Sequence, residues 1–328
     1  MKARSYKEIL GLLHRSWLFW TISVAVLVFS FMKPPALSRR VRPAAPAAPT
    51  YFVSSFGGMG TAPGQFNKPR SIAFDGKATY YVIDRTDRVQ AFDLATGRFL
   101  RLWYLPDVRL GRPERILWTP DGSLLITDTH YGQVLRYDAE GKRLATFGSE
   151  GREPGQMHYP TAVRVLADGR IAVTEYGGHD RIQFWDVSGR ALGLFGSAGN
   201  GPGEFMRPQG LCQGPDGLLY VADAANQRIQ AFTPEGRFVR AFGEAGTAPG
   251  RFSYPYDLGF DRGRLAVLES CSHRISLWTP QGAWIHDVGG LGTRPGELSN
   301  PWGFCLLGDG TVLVADTDNH RVQRWRLS

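Results

Sequence analysis

Six residues that each directly follow a proline bring together a cation, an acid, a hydroxyl, an amide and two aromatic rings: Arg70, Glu114, Thr161, Gln209, Tyr256 and Trp302. Each opens a short apolar run (Arg70-SIAF, Glu114-RILW, Thr161-AVRV, Gln209-GLCQ, Tyr256-DLGF, Trp302-GFCL), which reads as a β-strand led by its proline. Side chains that differ at one repeated position are what a selected binding surface looks like. Drift at a wet rim would leave the same pattern, and both readings stand. A second constellation is uniform: Asp84/Arg88, Glu175/Arg181, Asp223/Arg228, Glu269/Arg274 and Asp316/Arg321 pair an acid with an arginine a few residues later. A specific site occurs once, so this repetition predicts a structural tie across a turn. His130, His179, His273 and His320 also fall in those turns and read as surface or structural histidines. No His-Glu-x-x-His pattern, carboxylate cluster with ligand spacing or nucleophile elbow is present, so neither a metal nor a cofactor is expected.

The elements that must position these residues repeat. Tyr81-VIDRTDRVQAF, Leu125-ITDTHYGQVLRY, Ala172-VTEYGGHDRIQFW, Tyr220-VADAANQRIQAF, Ala266-VLESCSHRISLW and Leu313-VADTDNHRVQRW align on Arg88, Gln133, Arg181, Arg228, Arg274 and Arg321, at successive gaps of 45, 48, 47, 46 and 47 residues. Each unit reads as four strands. Asp121-Gly122, Asp168-Gly169, Asp216-Gly217 and Asp309-Gly310 turn the first strand into the second. Glycine-rich connections such as GSAGNGPGEFMRP return the chain to the next proline. Units of four strands and ~40–50 residues predict the blades of a propeller around a central channel. The last unit ends after its third strand, and a spare strand, Tyr51-FVSSFG, precedes the first. The expected fold is therefore all-β: a six-bladed propeller in which residues 51–57 pair with 321–327 and remove the open edge. The six post-proline side chains would then surround one channel mouth, with Tyr131 and Tyr176 extending the patch at its rim.

Composition agrees. The 328 residues include 40 Gly and 21 Pro, too many for a helical bundle, and 43% hydrophobic residues, too many for a disordered chain. Three cysteines make no disulfide framework. Cys212 and Cys305 lie on first strands and read as small buried apolar residues; Cys271 lies in a turn. The net charge of +8 is misleading, because residues 1–42 hold eight basic side chains against Glu8 alone, leaving residues 43–328 at +1. That near-neutral body disfavours nucleic acid as a partner.

The basic segment itself reads as a membrane element. Trp17–Met32 is 16 residues without a charge, ended by Pro34-Pro35 and flanked by Arg15 and Lys33. A helix of that length rises about 24 Å, and snorkelling basic ends extend its reach. The expected organisation is an N-terminal tail and transmembrane anchor over 1–33, a Pro/Ala-rich spacer over 34–50 and the propeller over 51–328. A cleaved signal peptide and a buried helix are the competing readings. Basic residues flank the span four against four, so orientation is weakly set. The expectation is a body held outside the cytoplasm.

The repeats resemble the NHL family, on Val221-Ala222-Asp223, Val314-Ala315-Asp316 and Asn319-His320-Arg321-Val322-Gln323. The resemblance implies the same propeller. That family includes a peptidyl-hydroxyglycine lyase whose zinc is held by histidines directly after the first-strand prolines. None of the six residues there is His, so that activity is not expected. Some NHL propellers bind RNA on a basic face, which this body does not suggest. The resulting expectation is a binding or scaffold module for a protein, peptide or small ligand, including a role as accessory subunit of a membrane complex. An extracytoplasmic lyase- or hydrolase-type enzyme using the channel mouth is the alternative.

Overall fold

A computed structural model describes residues 51–106 and 112–327. The expected membrane anchor and spacer lie outside them, and no helix among the described residues is long and apolar enough to cross a membrane.

Six four-stranded antiparallel sheets follow one another along the chain. Blade 1 comprises Pro69–Phe74, Thr79–Asp84, Arg88–Asp93 and Phe99–Tyr104; blade 2 comprises Pro113–Trp118, Leu124–Asp128, Gln133–Tyr137 and Arg143–Phe147. Blade 3 is built from Pro160–Val165, Ile171–Glu175, Arg181–Trp185 and Ala191–Phe195, and blade 4 from Pro208–Gln213, Leu219–Asp223, Arg228–Phe232 and Phe238–Phe242. Blade 5 holds Pro255–Asp261, Arg264–Glu269, Arg274–Trp278 and Trp284–Gly289. Blade 6 holds Gly303–Leu306, Thr311–Asp316 and Arg321–Arg326, and its fourth strand is the N-terminal Phe52–Phe56. That strand runs antiparallel to Arg321–Arg326, from Phe52 opposite Trp325 to Phe56 opposite Val322. Closure by the N-terminal strand is thus as the sequence predicts.

The first strands of neighbouring blades touch all the way round, including blade 6 against blade 1, so they form the inner wall. Alternation explains how the blades stack. On the second strand of blade 4, Leu219 and Val221 face blade 3, whereas Tyr220 and Ala222 face blade 5. Side chains of successive residues leave opposite faces of a strand, and here both faces are covered. Six buried apolar clusters result, one per junction, and blades 6 and 1 share theirs through Phe66, Ile72, Tyr80, Val82, Leu313 and Ala315. No blade can bury its two faces alone, which makes the ring cooperative.

The glycine-rich connections are positioned by the acid–arginine pairs. Arg228 donates from Nε to Asp223 (2.7 Å) and from its two Nη atoms to the carbonyls of Asn200, Gly201 and Glu204. Arg88, Arg274 and Arg321 hold the equivalent loops in the same way. Blade 2 has only the short connection after Tyr104, and at the arginine position it carries Gln133, which donates to Asp128. A glycine at the start of each long loop packs closely on a buried side chain: a Cβ on Gly243 (φ 109°) would lie 2.3 Å from the buried Phe252 ring.

Candidate functional site

Five of the six first strands open irregularly. Pro208 pairs with Asp223, but the register then jumps to Leu211 opposite Val221, leaving Gln209 and Gly210 outside the ladder. The same break follows Pro69, Pro113, Pro160 and Pro255. Such a bulge re-aims side chains, and here it turns the post-proline residue toward the axis. Five of the six residues before these prolines adopt a left-handed backbone: Lys68, Tyr159, Arg207, Tyr254 and Asn300 have φ between 47° and 57°.

All six post-proline residues line one cavity of about 350 Å³, together with Tyr176. Tyr131 does not line it; its turn contributes the neighbouring His130 instead. Arg112, Arg207, Tyr254, Ser270, Cys271 and Asn300 complete the wall. Four of these, Arg112, Arg207, Tyr254 and Asn300, occupy the pre-proline position, which varies from blade to blade like the position after it but was not among the expected site residues.

The floor is a network. One oxygen of Glu114 accepts from Arg70 Nη1 at 2.8 Å, and the other accepts from the Tyr256 hydroxyl across the ring. Arg70 also donates to the Pro113 carbonyl (3.2 Å) and lies over the Trp302 ring at 4.9 Å. Trp302 in turn stacks on Tyr256, with centroids 5.6 Å apart and planes at 25°. Thr161, which lines the same cavity, is also bonded to the neighbouring blade. It is 2% exposed, and its hydroxyl engages Thr174 (2.8 Å) and the Pro208 carbonyl (3.0 Å), so it ties blade 3 to blade 4.

Burial and the nearby Glu114 carboxylate hold the Tyr256 phenol well above its usual pKa, and burial raises Tyr176 and Tyr254. Burial, then the Arg112 charge, lowers His130. At neutral pH the cavity therefore carries neutral tyrosines, a neutral histidine, three arginines and one carboxylate.

The cavity has a closed bottom. Arg115 of blade 2 and Asp257 of blade 5, on opposite sides of the ring, form an ion pair across the axis with side chains 4% and 1% exposed. Asp257 also accepts from the backbone N–H groups of Leu258 (2.9 Å) and Phe304 (3.1 Å). Backbones crowd at this level: a Cβ on Gly303 would lie 2.4 Å from the Arg70 carbonyl oxygen. Below the tie, a separate cavity of about 500 Å³ opens toward the other face, lined by apolar side chains including Phe74, Trp118 and Phe260 with Cys212, Cys305 and Arg164. Burial pushes the Cys305 thiol up to about 12 and raises Cys212 as well; Cys271 is the exposed thiol. Among the described residues no group of three His, Cys, Asp or Glu side chains is disposed to hold a metal.

Two stretches of the chain, 205–232 and 298–325, match the NHL repeat. No curated protein matches the sequence significantly. Among solved structures, a streptogramin B lyase is 15% identical, covering 86% of this chain and 89% of its own, with a TM-score of 0.61. The virginiamycin B lyase of Staphylococcus aureus is 13% identical, covering 85% and 100%, with a TM-score of 0.61. A protein of unknown function from Bacteroides thetaiotaomicron is 16% identical, covering 84% and 73%, with a TM-score of 0.64. At these identities the likeness is one of fold. The chain carries NHL repeats on a closed six-bladed β-propeller.

Proposed function

We propose that the protein is a binding module that takes a small ligand, or the tip of a protein or peptide partner, in the closed-bottom cavity of the channel mouth. One observation carries this reading: on a scaffold that repeats its structural residues blade after blade, the wall of this cavity gathers polar, charged and aromatic residues that differ from blade to blade. Aromatic and arginine side chains in one concave site are the usual makers of binding energy. Arg70, Glu114, Tyr256 and Trp302 hold the floor rigid, and the residues above them are available to a ligand. The test is purification of the full chain in mild detergent, with native mass spectrometry of what accompanies it. A species retained by the wild type and lost on Trp302→Ala, at unchanged thermal stability, supports the reading. Retention by the variant refutes it.

We further propose that residues 17–32 anchor this module and that it works outside the cytoplasm. The support is the uncharged run and its basic flanks. Protease digestion of sealed right-side-out vesicles is the check: a protected propeller overturns the orientation. A second reading, a lyase-type enzyme, draws on the two lyases that share the fold and on the Glu114–Tyr256 hydrogen bond at the floor. Metal-dependent turnover that Glu114→Gln abolishes would favour it.

A further inference from the structure

We propose that the mouth cavity selects a small organic anion carrying a flat ring: a carboxylate, phosphate or sulfate ester on an aromatic or similar planar group. The proposal rests on the binding-module reading and adds the chemical class of the ligand.

The charges in the cavity are unequally spoken for. Glu114 is its only carboxylate among the described lining residues. Both its oxygens are engaged, by Arg70 and by Tyr256. Arg70 is likewise committed to Glu114, to the Pro113 carbonyl and to the face of Trp302. These four side chains neutralise one another and offer a ligand no net charge. Arg112 and Arg207 are different. Both are exposed on the wall, and no carboxylate of the described residues lies within ion-pair distance of either. Arg207 is nevertheless held in place. Its backbone N–H is bonded to Asp180 Oδ1 at 2.6 Å, and its guanidinium rests 4.9 Å above the Tyr176 ring. A guanidinium fixed in this way presents its forked donors ready-made for an oxyanion.

The second half of the class comes from the remaining wall. Tyr176, Tyr254 and Trp302 line the same cavity, and burial keeps both tyrosines protonated, so they add no opposing charge. Aromatic faces favour a flat apolar body. The volume of about 350 Å³ lies at the small end of small-molecule sites, and the Arg115–Asp257 tie beneath prevents a polymer from threading through. A cationic ligand would meet two arginines that have no ion-pair partner among the described residues.

The full chain in mild detergent can be titrated with phenyl phosphate, benzyl alcohol, benzylamine and inorganic phosphate. Calorimetry supplies one readout. The rate at which iodoacetamide alkylates Cys271 supplies another, because Cys271 lines the cavity and is the exposed cysteine, whereas Cys212 is buried. Phenyl phosphate is expected to bind and slow alkylation, with benzyl alcohol at least about tenfold weaker and benzylamine weaker still. The Arg112→Gln/Arg207→Gln double variant is expected to lose about tenfold in affinity at an unchanged unfolding midpoint, and raising the salt should weaken binding. Preference for benzylamine or benzyl alcohol overturns the anion while leaving a ligand-binding mouth standing. Inorganic phosphate binding as tightly as phenyl phosphate overturns the ring. No binding by any ring compound overturns the ligand class. If Trp302→Ala also retains whatever accompanies the wild type, the binding-module reading falls with it.

Discussion

His273 provides the most direct test of how neighbouring blades are latched. It immediately precedes the third strand of blade 5 in a left-handed conformation (φ 58°), and its Nδ1 accepts the backbone N–H of Asn300, the pre-proline residue of blade 6, at 2.8 Å. Asp180 does the same for Arg207 and Gln227 for Tyr254, each at 2.6 Å, and His320 for Lys68 at 3.2 Å across the ring closure. An imidazole can accept at Nδ1 only when that nitrogen is unprotonated. Burial, opposed by Asp316 and Asp318, lowers the pKa of His273 in the folded protein. The unfolded chain therefore binds the proton at higher pH than the folded one. Stability from this latch is complete above about pH 6.5, the unfolded value, and is lost as the pH falls through the lower folded value. His273→Ala strands one half-buried N–H, which costs about 1–2 kcal/mol at pH 8. His273→Gln, borrowing the solution used at Gln227, should cost little at pH 8 and remove this part of the acid sensitivity. Urea midpoints of the three proteins from pH 8 to pH 5 are the assay. The gap between wild type and the Gln variant should shift in favour of Gln as the pH drops. If that gap stays flat, or if Ala is harmless at pH 8, the latch is not what holds this junction.

Other expectations follow from the same contacts. Deleting residues 51–56 leaves Arg321–Arg326 as an open edge, and calorimetry should show loss of the single cooperative transition, with self-association by light scattering. Gly303→Ala drives a methyl into the Arg70 carbonyl oxygen, backbone against backbone, and should cost at least about 2 kcal/mol in a urea titration. Arg228→Gln removes the charged partner of Asp223, which is 0% exposed, and should cost about 3 kcal/mol by the same measurement. Gln133→Arg should bring no compensating gain in a urea titration, because the connection before blade 2, residues 105–112, is shorter than those the other arginines hold.

Blade count, blade boundaries and ring closure were legible because the repeat states each of them several times. The gathering of Arg70, Glu114, Gln209, Tyr256 and Trp302 was legible for the same reason: one bulge, repeated, aims one position inward. Thr161 occupies that position too, but whether its hydroxyl faces a ligand or the next blade depends on Thr174 and Pro208 lying opposite, which no local pattern states. Arg207, Tyr254 and Asn300 escaped notice because the left-handed turn at each is built here without glycine. The cross-axis links of Glu114 to Tyr256 and Arg115 to Asp257 each join blades 2 and 5, half a ring apart, and occur once. A repeat read by its uniform positions cannot announce a contact made by its exceptions. The short connection before blade 2 and the glutamine at 133 were both visible; that one explains the other needed the loop carbonyls in place.

Building the final sheet from both ends of the polypeptide also sets a timetable for biosynthesis. Phe52–Phe56 emerges early, but its partner strand ends at Arg326, about 270 residues later. At roughly 5–20 residues per second, translation keeps the two apart for on the order of 15–50 s. During that interval five sheets can assemble in order while the earliest strand waits unpaired, and the last junction shuts only once Arg321–Arg326 has left the ribosome's exit tunnel. Ring closure is therefore the latest step in making the propeller, and the waiting segment is the one that a chaperone has most reason to cover.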